Sequence, residues 1–219
     1  MRLWVASLFF LSSVFGEVAV KELSSKPRIY LLPNFLSNQE CDHLIDISRM
    51  SLVPSTVIDE NKASEGKFDP RRSSKGYFLT EKNRDQMVRK IEQRIAEVTQ
   101  LPIENGEAFH ILHYPLGAEY QPHYDYFNPN TPGGAACMNN RGGQRVASVI
   151  MYLNTPEKGG ETIFPCAMIS VTPKKGDAVL FYNLLPSSEV DPLSLHGGAP
   201  VLAGEKWIAT KWIRLGVFH

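Results

Sequence analysis

The chain has 219 residues, with 23 Lys and Arg against 23 Asp and Glu, and 43% of it is apolar. That length supports one compact domain with a full core and is too short for two ordinary ones. The charge balance gives no support for a nucleic-acid or acidic-membrane partner, since either would call for a basic surplus.

At the N-terminus, Arg2 precedes an apolar run from Leu3 to Phe10 that continues through Leu11 and Val14. The run is too short to span a bilayer and reads as a secretory signal over residues 1–16. On that reading residues 17–219 are the mature chain, a single domain that enters the secretory pathway, resident in the endoplasmic reticulum lumen or exported. Without a signal the protein would be cytoplasmic. Cys41, Cys137 and Cys166 are odd in number and share no close spacing, so they outline no disulfide framework. One pair plus a free thiol fits the pattern, and so does no pair.

Residues 17–27 read as a linker, and Pro27 to Phe35 as a strand. Ser37 and Glu40 then form a capping box, in which each side chain satisfies an early backbone donor, so a helix is predicted from near Asn38. Cys41, Leu44, Ile45 and Ile47 give it an apolar side. A second helix is predicted from Asn83 to Thr99, because Met87, Ile91, Ile95 and Val98 recur at helical spacing between charged residues. Between the helices, residues 60–76 are polar and punctuated by Gly66, Pro70 and Gly76. Two readings stand open there. One is a solvated connector; the other is a lid whose Arg71, Arg72, Ser73 and Ser74 donate to an extended peptide.

From Glu107 onward, short β-branched and aromatic segments alternate with Gly, Pro and Asn. This spacing predicts an antiparallel barrel or sandwich. The predicted class is α+β, mainly β: a jelly-roll barrel braced by N-terminal helices.

His123 and Asp125 are separated by one residue at a predicted strand end, so imidazole and carboxylate project to the same side. A third ligand from a distant strand would complete a set of two histidines and one carboxylate. Such a set leaves positions open on an octahedral iron, as an oxygenase requires. The other histidines are His43, His110, His113, His196 and His219. His196 is preferred because Lys206 follows ten residues later on a returning strand. Along that strand Lys206, Ile208, Thr210 and Trp212 share one face, and Trp207, Ala209, Lys211 and Ile213 the other. A lysine facing a barrel interior calls for an anion, such as the distal carboxylate of 2-oxoglutarate. Parity alone leaves open which face is inside.

The segments HYPLGAEYQPHYDYF, GGQRVASVIMYLN, GGETIFP, KKGDAVLFYN, DPLSLHGGAPV and GEKWIATKWIR carry a family resemblance. Residues 107–215 resemble the iron(II)/2-oxoglutarate dioxygenase domain of prolyl 4-hydroxylases, particularly the monomeric plant and algal type. A fainter resemblance continues toward the N-terminus. It implies a double-stranded β-helix, and iron(II) and 2-oxoglutarate as cofactors with ascorbate as reductant. The implied reaction is 4-hydroxylation of prolyl residues, with succinate and carbon dioxide as co-products. Carried over by position, His123, Asp125 and His196 are iron ligands, and Lys206, Tyr114 and Thr162 hold 2-oxoglutarate. Glu107, Tyr120, Arg145 and Trp212 match positions lining a peptide groove. Strand parity places Tyr120 opposite His123 unless Pro122 breaks the alternation. Arg214 departs from the pattern, standing where the algal relative has a histidine near the peptide.

The implied partner is a proline-rich peptide or protein. Two other readings remain at this point: an oxygenase of the same fold acting on another peptide residue or a small molecule, and a non-catalytic module that binds proline-rich peptides.

Overall fold

The computed structural model describes residues 14–15, 18–62 and 66–219. The apolar run read as a secretory signal lies outside these residues, except that Val14–Phe15 pairs with Val18–Ala19.

Twelve strands carry the fold. They are β1 (Lys21–Ser25), β2 (Arg28–Leu32), β3 (Val53–Pro54), β4 (Lys75–Phe78), β5 (His110–Tyr114), β6 (Tyr120–His123), β7 (Arg145–Tyr152), β8 (Thr162–Phe164), β9 (Ile169–Val171), β10 (Ala178–Tyr182), β11 (His196–Gly198) and β12 (Lys206–Arg214). Eight form a major sheet in the order β1-β2-β10-β7-β12-β5-β4-β3, and four form a minor sheet in the order β6-β11-β8-β9. All the ladders are antiparallel. The two facing sheets form the expected double-stranded β-helix, with helices bracing the outer face of the larger one.

Central strands of the major sheet are buried on both faces, which is why they read as nearly continuous apolar runs rather than alternating ones. Ala147, Val149 and Met151 of β7, Ala178 and Leu180 of β10, and Trp207, Ala209 and Ile213 of β12 face the helices. Ile150 and Tyr152, Val179 and Phe181, and Ile208 of the same strands face the minor sheet. Each fully buried aliphatic side chain contributes about 1.5–3 kcal/mol.

Helix α1 (Asn38–Asp46) starts as predicted: Ser37 Oγ accepts the Glu40 N–H at 3.2 Å, and Glu40 Oε2 accepts the Ser37 N–H at 2.8 Å. Helix α2 spans Gln86–Thr99 and is capped by Asp85, whose carboxylate accepts the Val88 N–H at 3.0 Å. It begins three residues after the predicted Asn83, because Glu81–Asn83 forms a separate 3-10 turn. Val88, Ile91 and Ile95 of α2 pack with Leu44 and Ile45 of α1 onto the sheet. Arg94 of α2 ties the two helices by bonding both Glu40 carboxylate oxygens, at 2.9 and 3.1 Å, and the Phe35 carbonyl.

Three stretches depart from expectation. Residues 17–27 are not a linker: β1 lies along β2 at the sheet edge, its polar residues turned to solvent. A third helix, α3 (Pro132–Asn139), forms in a Gly-rich stretch with no apolar periodicity, begun by Pro132 and capped by Thr131 Oγ1 on the Gly134 N–H. The described part of 60–76 is largely exposed but carries regular structure, which the sequence reading did not foresee. Gly66–Lys67 pairs with Val57–Ile58, Lys75–Phe78 is β4, and Asp69, Arg72 and Ser74 are buried. The three cysteines are all free. Among the described residues, no helix is long and apolar enough to cross a membrane.

Candidate metal and cosubstrate site

β6 and β11 bring His123 and His196 together as a direct cross-strand pair, with ring centroids 4.4 Å apart. Asp125 lies just past the end of β6. Its Oδ1 is 3.8 Å from His123 Nε2 and its Oδ2 is 3.5 Å from His196 Nε2. One ligand atom from each of the three falls within 4.8 Å of the others, and the structure brings this group together as a possible metal site. Each histidine Nδ1 bonds a backbone carbonyl, Gln121 at 2.9 Å and Ser194 at 3.0 Å. Those bonds place the proton on Nδ1 and leave Nε2 as a free lone pair, the tautomer a metal requires.

Electrostatics agree. Burial, with some repulsion from His196, pushes His123 down to about 3. Burial also opposes ionisation of Asp125, but the two histidines, Arg145 and the Ser148 hydroxyl outweigh it and hold the carboxyl at about 2. Two imidazoles and one carboxylate, converging at one point, are a donor set that fits iron(II).

The three ligands line one cavity. Lys206 lines it too, settling the parity question: Ile208, Thr210 and Trp212 share its face of β12. Tyr114 pairs directly with Lys206 across the β5–β12 ladder. Among the described residues the Lys206 ammonium has no hydrogen bond; it sits 5.4 Å from the Tyr114 ring centre and 6.0 Å from that of Tyr152. Desolvation lowers it from 10.5 to about 8, and Glu161 attracts it in the opposite sense. An unpaired buried cation facing an open cavity is stable chiefly when an anion enters. Thr162 contributes from β8. Its Oγ1 accepts the Tyr152 hydroxyl proton at 2.8 Å, so its own proton is left to donate into the cavity. Sequence reasoning missed Tyr152, an inward-facing aromatic in an apolar strand with nothing to mark it.

The four positions expected to line a peptide groove divide. Tyr120 and Trp212 line the cavity. Tyr120 does so because the ladder slips between Tyr120 and His123, which brings the rings into a stack 3.6 Å apart. The break in alternation falls across Gln121 and Pro122, as a strand proline permits. Arg145 lies beside the cavity, its guanidinium 3.8 Å from the Trp212 ring centre and 3.4 Å from the Asp125 carbonyl. Glu107 does not line the cavity itself. Its carboxylate is buried beneath the groove, holding Arg145 through two bonds of 2.6 and 2.8 Å and Arg214 through one of 2.6 Å. Burial opposes its ionisation, and the two arginines more than reverse that. Arg214 is likewise a buried clamp, its guanidinium also bonding the carbonyls of Cys137 and Gly143.

Arg72 roofs the cavity from the 66–75 segment. Its side chain bonds Thr56 O at 3.1 Å and Ser74 Oγ at 3.3 Å, with the guanidinium carbon 4.8 Å from the Tyr120 ring centre. Backbone bonds from Ser73 to Glu119 and from Gln121 to Arg71 dock the segment along β6.

Comparison with known proteins places this geometry. Residues 109–214 match the 2OG-Fe(II) oxygenase superfamily. Prolyl 4-hydroxylase 5 of Arabidopsis thaliana is 43% identical over 93% of this chain and 74% of its own length. The probable prolyl 4-hydroxylase 4 of the same plant is 44% identical over 97% of this chain and 76% of its own. Among solved structures, the 2OG complex of the viral collagen prolyl hydroxylase from Paramecium Bursaria Chlorella virus-1 superposes with a TM-score of 0.66 at 28% identity, covering 84% of this chain and 94% of that one. The chain belongs to the prolyl 4-hydroxylase family, within the 2OG-Fe(II) oxygenase superfamily.

Proposed function

We propose that this protein is a peptidyl-proline 4-hydroxylase that consumes dioxygen and 2-oxoglutarate and releases succinate and carbon dioxide. The observation that carries the proposal is the cavity itself, lined by both a His–Asp–His donor set and a buried lysine with no hydrogen bond among the described residues. The relatives named as prolyl 4-hydroxylases and collagen prolyl hydroxylase support the choice of proline as the residue acted on.

His123, Asp125 and His196 would hold iron(II), and bound iron with 2-oxoglutarate supplies the oxidising power for the C–H bond. This chain's residues do the rest. The Lys206 ammonium and the Thr162 and Tyr114 hydroxyls would take the carboxylate of 2-oxoglutarate farther from the metal, which fixes the cosubstrate's direction. Trp212, Tyr120 and the held guanidinium of Arg145 would position the peptide, its proline ring against aromatic faces and a carbonyl toward the arginine. Glu107 acts through Arg145 and does not touch substrate. A proline-rich segment suits such a groove because it is already extended and has unpaired carbonyls. The 66–75 segment would act as a lid over the peptide, with Arg72 as its inward donor. Docked along β6, it would shield bound peptide and cosubstrate from water.

The test is incubation of a proline-rich peptide with the enzyme, iron(II), 2-oxoglutarate and ascorbate. Mass spectrometry should show a gain of one oxygen on proline with stoichiometric succinate. Succinate formed only with another peptide or a small molecule would point to a different substrate class. No succinate with any of them would leave only a binding module.

A further inference from the structure

We propose that Ser148 and Asn183 are positioning residues that set the direction of the Asp125 carboxylate, and with it the number of metal positions the carboxylate takes. The inference rests on His123, Asp125 and His196 being the metal ligands. Asp125 lies in a bend beyond the end of β6, so no strand ladder fixes its backbone. What fixes its side chain comes from the major sheet opposite. Ser148 of β7 donates its hydroxyl proton to Asp125 Oδ2 at 2.6 Å. The serine oxygen in turn accepts from Asn183 Nδ2 at 3.0 Å. Asn183 follows β10, the neighbour of β7, and its backbone is pinned on both sides: its N–H bonds Val146 O, and its carbonyl accepts from Asp191 N–H.

The relay has one polarity. A serine has a single proton, and an amide NH2 can only donate, so donation from Asn183 leaves the Ser148 proton committed to Asp125. Among the described residues Asn183 Oδ1 has no hydrogen-bond partner. Turning the amide over would present that oxygen to Ser148 and draw the proton away from the carboxylate. Both side chains are wholly buried, at 0% exposure, in a region otherwise packed with Phe181, Ile150 and Trp212. Apolar residues there would pack without an unsatisfied amide oxygen, so local packing alone does not account for the pair. With Oδ2 held by Ser148, the carboxylate would offer a metal chiefly Oδ1, leaving other positions free.

The test is metal binding by the apo-protein, read without turnover. Mn(II) titration followed by electron paramagnetic resonance should give a Kd raised about 10–100-fold in Ser148→Ala. Asn183→Ala should shift it in the same direction by less, and should add nothing in the Ser148→Ala background because it acts only through the serine. The visible spectrum of the Co(II) protein should also change in Ser148→Ala, reporting a carboxylate free to bind through both oxygens. Ser148→Cys, a weaker donor of similar volume, should fall between wild type and Ser148→Ala; if Ser148→Ala fails to fold, it carries the test together with Asn183→Ala. Unchanged Mn(II) affinity and Co(II) spectrum in the folded variants would overturn the proposal, as would strictly additive effects of the two alanine substitutions. His196→Ala separates the two levels. If it too leaves Mn(II) affinity untouched, the ligand assignment itself is wrong; if it abolishes binding while the Ser148 variants do nothing, only the positioning role is.

Discussion

Lys206 and Lys211 lie five residues apart on one strand, both almost fully buried, and point to opposite faces of the sheet. Lys211 faces α2, where Glu92 Oε1 meets its ammonium at 2.8 Å and the other Glu92 oxygen bonds Arg84 at 2.7 Å. Lys206 faces the cavity and has no such partner. Burial depresses both ammonium groups. Burying a charge demands a counter-charge. For Lys211 the fold supplies it from another helix, which makes that lysine structural. For Lys206 the counter-charge must come from solution, which makes that lysine a binding group.

The sharpest way to break the contrast is to make Lys211 resemble Lys206. Glu92→Ala leaves the buried Lys211 ammonium without its partner and should destabilise the fold by about 3–5 kcal/mol, since it removes one member of a buried pair. Urea denaturation monitored by far-UV circular dichroism would measure it. A loss under 1 kcal/mol would mean that water reaches Lys211 and the contrast is false.

The converse change acts on binding. Lys206→Met should raise the Kd for 2-oxoglutarate about 100-fold, equal to about 2.7 kcal/mol. Mn(II) affinity should stay within about twofold, because Lys206 is not one of the three metal-ligand candidates. Isothermal titration of the Mn(II) protein would show both, and an unaltered 2-oxoglutarate titration would remove Lys206 from the site.

A third test uses pH. In the empty cavity Lys206 titrates near 8, and a bound carboxylate would raise that value, so 2-oxoglutarate selects the protonated form. Affinity should therefore be full below pH 8 and fall as pH rises through it, approaching about tenfold per unit above. Lys206→Met should lose this dependence, and a flat profile in the wild type would contradict the assignment.

The smallest effect is on stability without ligand. Lys206→Met removes an unpaired buried cation and should leave the apo-protein equally stable or up to about 1 kcal/mol more so, the opposite sign to Glu92→Ala. Thermal unfolding without 2-oxoglutarate would test it. A clear loss of stability would mean that Lys206 is held by the protein after all.

Much of this was legible from residues, and what was missed shares one cause. The capping box at Ser37 and Glu40 announced α1 because its interactions span only three positions. Alternation along β12 sorted Lys206, Ile208, Thr210 and Trp212 from Trp207, Ala209, Lys211 and Ile213, because a strand's period is two whatever surrounds it. It could not say which set was inside, since both sets are buried and so both look like core. The slip that brings Tyr120 beside His123 depends on how β6 pairs with β11, more than 70 positions along the chain. That Glu107 binds two arginines could not be read along the chain either, because those partners arrive from β7 and β12.

The sequence by itself determined α1 and α2, the mainly β class and the residue types of the candidate metal and cosubstrate site. Spacing, capping and side-chain chemistry are properties of neighbours along the chain. Only the tertiary structure decided which lysine has a partner, that Arg72 roofs the cavity, and that Ser148 and Asn183 stand behind Asp125. Those facts depend on which distant groups share a desolvated space, where a charge or polar atom is stable only beside its complement.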